Sequence, residues 1–394
     1  CNKGYKTLVL ERGPMVKHGE YPTANLDPWQ LPNQNRVTAE EIARDYFKQN
    51  RLNWWVHEDN KHWINKDSDY PYDEVERFDW IRGHHVGGRS IMWGRHCYRW
   101  SDIDFEANAR EGIGIDWPIR YNDIAPWYDY VEKFVGVSGQ AEGLKQVPDG
   151  QFLPPFELNC AEQHMRESVA AKFPDRIVTP GRVANLSKFD PEVHKGYRSQ
   201  CVSRDRCWRG CPYGAYFSSL SATLAVAAGT GNLTLRADSI VAEIMYDGQK
   251  ATGVRIIDAQ SGEDIEFFAK IIFCNASTVG TTAILLNSTS ERFPEGMGND
   301  SGELGHNLMD HHYGMGASGD LPGFEDKYYK GRKPVGFYIP RFRNIDEESK
   351  QNDYLRGFGY QGGATRGMNT PEGAIGASLK EKIFEPGPYT IRMT

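Results

Sequence analysis

The sequence contains no apolar run approaching the roughly 18 to 20 residues that a helix needs to cross a bilayer, so none of its 394 residues reads as part of a membrane-spanning helix. It also lacks a basic excess: 46 Lys and Arg stand against 53 Asp and Glu, for a formal charge of -7. Nucleic acid is therefore a poor partner, because phosphate binding needs a concentrated basic surface. Short basic runs such as Arg341-Phe-Arg343 read as solvated faces. No internal repeat is visible. Cysteine is scarce at seven, and three of the seven fall within eleven residues, which is not how a general disulfide framework is distributed. What the chain has in quantity is glycine and aromatics: 41 Gly, 10 Trp and 20 Tyr point to many tight turns and a well-lined pocket rather than a helical bundle. At 39% hydrophobic content it can bury one large or two ordinary domains.

The first informative segment is Lys6-Thr-Leu-Val-Leu-Glu11-Arg12-Gly13, an apolar strand ending in a carboxylate. It reads as the second strand of a dinucleotide-binding unit, where the acid at the strand end takes the ribose hydroxyls. A surface Glu closing any buried strand is the bland alternative. Residues 1–5 then read as the tail of a helix, with the phosphate-cradling glycines expected upstream. Residues 14–80 read as loop with one helix near 39–50. In Trp80-Ile-Arg82-Gly83-His-His-Val-Gly87-Gly88-Arg89-Ser90-Ile-Met92-Trp93-Gly94 a glycine pair heads a short helix. Glycine lets backbone approach a ligand closely, and a helix N-terminus favours a pyrophosphate.

Further along, Asp116-Trp-Pro-Ile caps a helix over Tyr121–Val135, with Ile124, Trp127, Tyr128, Val131 and Phe134 expected on one side. Residues 139–160 read as connection. A helix is expected over 218–228, then strands over 233–237, 240–246 and 253–257, with Asp247-Gly248 as a hairpin turn. Residues 270–276 read as a buried strand running into a helix over 279–286, a unit of the parallel-sheet kind. After Asp310-His311-His312 the texture turns to short, Gly-punctuated strands of a second domain.

These segments, in this order, resemble the glucose-methanol-choline (GMC) oxidoreductases, a family of FAD enzymes. Glu11-Arg12-Gly13 resembles the family's ribose-binding strand end, the Gly87-Gly88 stretch its glycine pair, Ile240-Val241 its adenine-side strand, and Gly305-His-Asn307-Leu-Met-Asp310-His311 its Gly-Arg-Asn-Leu-x-Asp-His. Cys274-Asn275-Ala276-Ser277 stands where an Ala-Gly turn is usual. The resemblance implies an α/β, Rossmann-like FAD-binding domain with a parallel sheet and a second α+β substrate domain, both incomplete. It divides the chain into FAD-binding parts at 1–138 and 196–312, a substrate-side insertion at 139–195 and a partial substrate domain at 313–394. FAD contacts are expected at Glu11, Arg12, Gly13, Arg82, Gly87, Gly88, Arg89, Ser90, Met92, Trp93, Gly94, Val241, Ala276 and Asp310. Some relatives bind flavin covalently through a His at the position of Met92, so non-covalent FAD is expected. For Trp93, ordinary core packing is the alternative.

Cys201, Cys207 and Cys211, spaced by six and four and followed by Pro212, lie in a loop with Arg204, Arg206 and Arg209. Close thiolates among arginines suit iron or zinc, and Cys-Pro also ends a known iron-sulfur loop. Spacing alone leaves zinc, or a disulfide and one free thiol, open. The resemblance to bacterial sugar dehydrogenases of the family implies a three-iron four-sulfur cluster passing electrons to a cytochrome, with a small subunit as a further partner.

Flavin-dependent alcohol oxidation needs a base for the hydroxyl proton while hydride goes to flavin N5. The family's His/Asn pair has no match here and is expected beyond Thr394, so the sequence reads as the central part of a longer enzyme, inactive when expressed alone. His311-His312 read as structural or cofactor-edge residues, and His84, His85 and His96 are assigned no chemistry. The expected activity is oxidation of the CH-OH group of a sugar, sugar acid or polyol. A flavin oxidase with a structural cysteine loop and a non-catalytic carbohydrate-binding relative are the alternatives. The aromatic stretch 53–72 suits stacking on a sugar face. Localisation is unknown; a periplasmic or membrane-associated setting through partner subunits fits best, and a cytoplasmic one stays open.

Overall fold

The computed structural model describes residues 1–52, 56–248, 250–309, 315–324, 331–368 and 372–394. Two compact units emerge, one of residues 1–91 with 223–311 and the other of residues 92–222 with 312–394.

In the first unit the strands Thr7–Leu10 and Leu233–Arg236 pair in parallel, Thr7 opposite Leu233 and Leu10 opposite Arg236. The helix Thr223–Gly229 leads into the second of them. Beside this pair lies an antiparallel sheet of Ser239–Asp247, Lys250–Asp258 and Asp264–Phe268. Its first hairpin turns at Asp247-Gly248 as expected, with Gly248 in the left-handed region at φ +60°. The helix Thr278–Asn287 packs on Ser239–Asp247, where Ser288 Oγ accepts from the Ile244 N–H at 2.9 Å. The expected helix near 39–50 is Ala39–Asp45, capped by Thr38, whose Oγ1 accepts from Glu41 N–H.

One expectation fails here. Residues 270–276 form no strand; Ile271 and Phe273 are exposed, and the strand before the helix is Asp264–Phe268, which pairs antiparallel with Lys250–Asp258. A β-strand exists only where a neighbour satisfies its backbone. Among the described residues no strand pairs with 270–276.

The second unit carries a five-stranded antiparallel sheet in the order Thr179–Pro180, Phe337–Ile339, Tyr360–Met368, Pro386–Met393, Ala317–Leu321. The helix Cys160–Lys172, which the sequence reading missed, lies against it. Asn159 caps that helix and donates through Nδ2 to the Ala364 carbonyl, while Glu162 accepts from the Ala364 N–H. The first unit ends at Ile91 and resumes at Thr223. Residue 138 is bound into the second unit by paired backbone hydrogen bonds between Ser138 and Val183, and the cysteine loop by Leu186 to Ala215 and Phe217 to Ala184.

Tyr121–Val135 is helical over the expected span, with Asp123 accepting from the Arg120 N–H. Its buried face differs. Trp127 and Val131 are exposed, whereas Glu132 and Val135 are buried. Glu132 is drawn inward by Arg99, whose Nε and Nη2 donate to its two carboxylate oxygens at 2.8 and 2.6 Å.

Candidate functional site

In the first unit the strand end and the glycine-pair segment come together. A Cβ placed on Gly13 would stand 2.2 Å from the carbonyl carbon and oxygen of His84, so only glycine allows the two backbones this close. Val86 N–H donates to the Pro14 carbonyl at 3.0 Å and closes the junction. Glu11 is partly buried; its Oε1 accepts from the Gly13 N–H at 2.9 Å, and burial raises its carboxyl above the ordinary value against the pull of that hydrogen bond and of Arg12. The Arg12 guanidinium lies over the Tyr70 ring, which meets His84 edge-on at 5.0 Å.

The glycine pair sits where expected, but the helix it heads is no more than a single 3-10 turn, Gly88–Ile91. Gly87 and Gly88 have φ of +95° and +47°, and the position of a Gly88 Cβ has nothing within 4 Å. Backbone is therefore open to a ligand at Gly88. Ser90 Oγ donates to the Gly87 carbonyl, and Arg89 beside it is exposed. Arg82 is buried between the Trp80 and Tyr72 rings, 4.2 and 4.9 Å from their centroids, and donates to the Tyr70 carbonyl.

Burial lowers His84 to about 3 and lowers His85 as well, so both imidazoles at this junction are held neutral, whereas His62 is exposed. Trp63 is buried against Tyr21, His62 and His85, so in the stretch 53–72 that ring serves packing. Residues 53–55 lie outside the described residues.

The remaining dinucleotide candidates are dispersed. Val241 lies in the strand Ser239–Asp247, whose Ser239 N–H donates to the Glu11 carbonyl at 2.9 Å. Ala276 is exposed just before the helix Thr278–Asn287, its N–H donating to Thr281 Oγ1. Met92, Trp93 and Gly94 belong to the second unit. There Met92 is buried, and Trp93 packs on Val135, Val137 and Ala184 with its indole N–H donating to the Phe217 carbonyl at 2.9 Å. Asp310, His311 and His312 lie outside the described residues.

In the second unit Cys201, Cys207 and Cys211 line one hollow of about 360 Å³, counted with its open mouth, together with Arg204, Asp205 and Arg206. The backbone bends sharply around it: Ser203 and Asp205 lie in the left-handed region, and Gly214 cannot be replaced without a Cβ 1.7 Å from the Tyr197 carbonyl oxygen. No disulfide joins the three thiols. Burial raises Cys201 and Cys207, whose thiols also act on each other and on Cys211, while Arg95 pulls Cys207 down.

Among the described residues no group of three His, Cys, Asp or Glu side chains is placed to hold a metal ion. Two arginines escaped the sequence reading, because nothing in their spacing marks them. Arg95 is 1% exposed, and Arg198 is buried and its pKa is lowered to about 10.

Residues 187–313 match a family model described as GMC oxidoreductase. 2-Methyl-1,2-propanediol dehydrogenase of Mycolicibacterium austroafricanum is 25% identical over 369 residues, covering 91% of this chain and 59% of that protein. Fructose dehydrogenase large subunit of Gluconobacter japonicus is 25% identical over 393 residues, covering 96% of this chain and 67% of that protein. The chain thus spans only part of the length of the curated relatives it matches. Among solved structures, pyridoxine 4-oxidase from Mesorbium loti is 15% identical with a TM-score of 0.40, over 73% of this chain and 47% of that one.

Proposed function

From the premise that this chain carries a GMC oxidoreductase domain, we propose that it is part of an FAD-dependent dehydrogenase that oxidises the CH-OH group of a sugar, sugar acid or polyol. The observation that carries the reading is the junction of Gly13 with His84, which joins a strand end bearing Glu11 to a glycine pair with open backbone. Glu11 and Gly13 would hold the adenosine end of the dinucleotide, and Gly87, Gly88 and Ser90 its pyrophosphate side. Bound FAD supplies the hydride acceptor for alcohol oxidation. Arg82 and Arg89 place positive charge beside the glycine pair, where phosphates would lie. His84 and His85 stay neutral there and neither take nor give a proton near pH 7.

Cys201, Cys207 and Cys211 would hold a three-iron four-sulfur cluster, with electrons leaving to a cytochrome through it. A small subunit is the proposed partner, and a periplasmic or membrane-associated setting follows from that partnership. What supports the cluster is the grouping of three unbonded thiols on one hollow.

The test is metal and cofactor analysis of the full-length protein. FAD released on denaturation, with about three irons and matching acid-labile sulfide per flavin, is the expected result. Flavin without iron would leave an oxygen-using oxidase with a structural cysteine loop, and colourless protein would end the flavin reading.

A further inference from the structure

A second hollow, of about 310 Å³, lies in the second unit among the turn after the helix Cys160–Lys172, the 144–146 turn, the chain leaving the strand Phe337–Ile339 and the loop 345–349. Pockets for small ligands run to roughly 300–1,000 Å³, so there is room for one sugar-sized molecule. The rim is tied. Lys145 Nζ pairs with Asp346 Oδ2 at 2.8 Å and Gln146 Nε2 donates to the Arg341 carbonyl at 3.0 Å, which fastens the 144–146 turn to two points of the other wall. Ser349 Oγ accepts from the Ile345 and Asp346 N–H groups, and Asp346 Oδ1 accepts from the Ser349 N–H, closing the loop on itself. Phe342 packs on Val178, Phe337 and Ile339, and the Arg176 guanidinium lies 4.4 and 4.5 Å from the centroids of the Phe173 and Phe342 rings.

These ties use some polar groups of the lining and leave others open. Asp346 is neutralised by Lys145, and Arg341 pairs with Asp104 Oδ1 at 3.5 Å. Asp175, Arg343 and Glu348 also line the hollow, and none of the three makes a side-chain hydrogen bond or ion pair among the described residues. Leu144, Ile177, Pro340 and Ile345 supply apolar lining beside them. The mixture selects the ligand. An anion would gain Arg343 but face two open carboxylates, a cation would gain the carboxylates but face Arg343, and an apolar molecule would strip water from all three charges and replace none of it. A polyhydroxylated molecule without charge meets no such conflict. Its hydroxyls donate to Asp175 and Glu348 and accept from Arg343, in hydrogen bonds strengthened by the charge on the protein side, while its C–H groups cover the apolar side chains. We propose that this hollow binds one neutral sugar or polyol, held by Asp175, Arg343 and Glu348. Neither FAD nor the cysteine loop takes part in that binding.

The experiment is hydrogen–deuterium exchange of the full-length holoenzyme, read by peptide mass spectrometry under argon without an electron acceptor, over a concentration series of sorbitol, gluconate, glucose and glucosamine in turn. Sorbitol and glucose are expected to slow exchange in the peptides covering 175–177 and 341–349, and to do so at lower concentration than gluconate and glucosamine, their charged counterparts. Arg343→Leu and Asp175→Ala should each raise the sugar concentration needed by about tenfold, the worth of one hydrogen bond to a charged group. Glu347→Gln, outside the lining, should leave it unchanged. Should Arg343→Leu loosen the loop even without sugar, Asp175→Ala decides by the same criterion. A charged probe that protects these peptides better than its neutral counterpart would overturn the inference, as would exchange there that no neutral probe slows, or protection that survives both substitutions. Each of those results leaves the flavin reading standing.

Discussion

Asn65 holds His84 at two points. Its Oδ1 accepts from the His84 backbone N–H at 2.8 Å, and its Nδ2 lies 2.8 Å from His84 Nδ1. A backbone N–H only donates, so the first contact fixes which end of the amide is oxygen. The amide nitrogen must then donate to Nδ1, and the ring must carry its proton on Nε2. His84 thus enters the Gly13 junction as a neutral imidazole of one tautomer.

Acid should loosen this junction. Burial first, then the charges of Arg12 and Arg82, hold the His84 value at about 3 in the folded chain, against about 6.5 when unfolded. The group's contribution to stability is therefore complete above about pH 6.5 and is lost as pH falls toward 3. His85 shifts in the same direction and steepens the loss. Thermal midpoints of the full-length protein from pH 7.5 to 5 should fall monotonically. Asn65→Asp should flatten the fall, because a carboxylate accepts from the backbone N–H and from a protonated Nδ1 alike. A variant with the wild-type slope would show that this contact does not set the trend.

Two glycines of the same region should respond differently to alanine. Gly13→Ala drives a methyl into the His84 carbonyl, and overpacking of this kind costs roughly 1–3 kcal/mol or more. Gly88→Ala meets open space but inherits φ +47°, a strain of about 1–2 kcal/mol. Gly13→Ala should accordingly lower the melting temperature more, while Gly88→Ala should weaken flavin retention beyond its modest effect on melting, since its methyl points where a ligand would approach. Equal flavin content in Gly88→Ala and wild type would remove Gly88 from the cofactor site.

Buried charge in the helix Tyr121–Val135 offers a third test. Arg99 and Glu132 have side chains 3% and 7% exposed, and Glu132 also accepts from the Gln151 N–H at 3.0 Å. Glu132→Leu leaves the buried Arg99 with Asp129 as its remaining carboxylate, so a loss of roughly 1–3 kcal/mol is expected. Arg99→Met combined with Glu132→Leu should recover a large part of it, as measured by denaturant unfolding. A double variant no more stable than Glu132→Leu would mean that the carboxylate matters for its contacts with the 150–151 turn instead.

That same helix shows where sequence reading stopped. Its limits were legible from the Asp116-Trp-Pro-Ile lead-in, although the carboxylate that accepts from the Arg120 N–H is that of Asp123. Its buried face was not, because periodicity counts apolar residues and cannot see that Arg99, 33 positions away from Glu132, makes a buried carboxylate tolerable in place of Trp127 or Val131. The strand expected at 270–276 failed for a related reason: an apolar run specifies a strand only with a neighbour to pair with. The meeting of residues 11–13 with 84–88 was legible as a motif order, and the grouping of Cys201, Cys207 and Cys211 as a spacing. Arg95 and Arg198 carry no such mark, since their burial is set by tertiary packing alone.

Gly214 ties the cysteine loop to the rest of its unit. Its N–H donates to the Cys211 carbonyl at 2.9 Å and its carbonyl accepts from Arg198 Nε at 2.7 Å, while Tyr197 O stands 1.7 Å from where a Cβ would be. Gly214→Ala must push the 197–198 backbone away from the 211–214 turn and also hold a left-handed φ of +57°. The strain is about 1–2 kcal/mol and the overlap roughly 1–3 more. Because the displacement acts on the partner of Cys211, thiol labelling of the reduced protein should speed up at Cys211 more than at Cys97, which is half-buried away from this turn with its thiol raised to about 12. Mass spectrometry of the labelled peptides resolves the two. Uniform acceleration at both would point to general unfolding, and unchanged labelling at Cys211 would mean that the turn absorbs the methyl without opening the hollow.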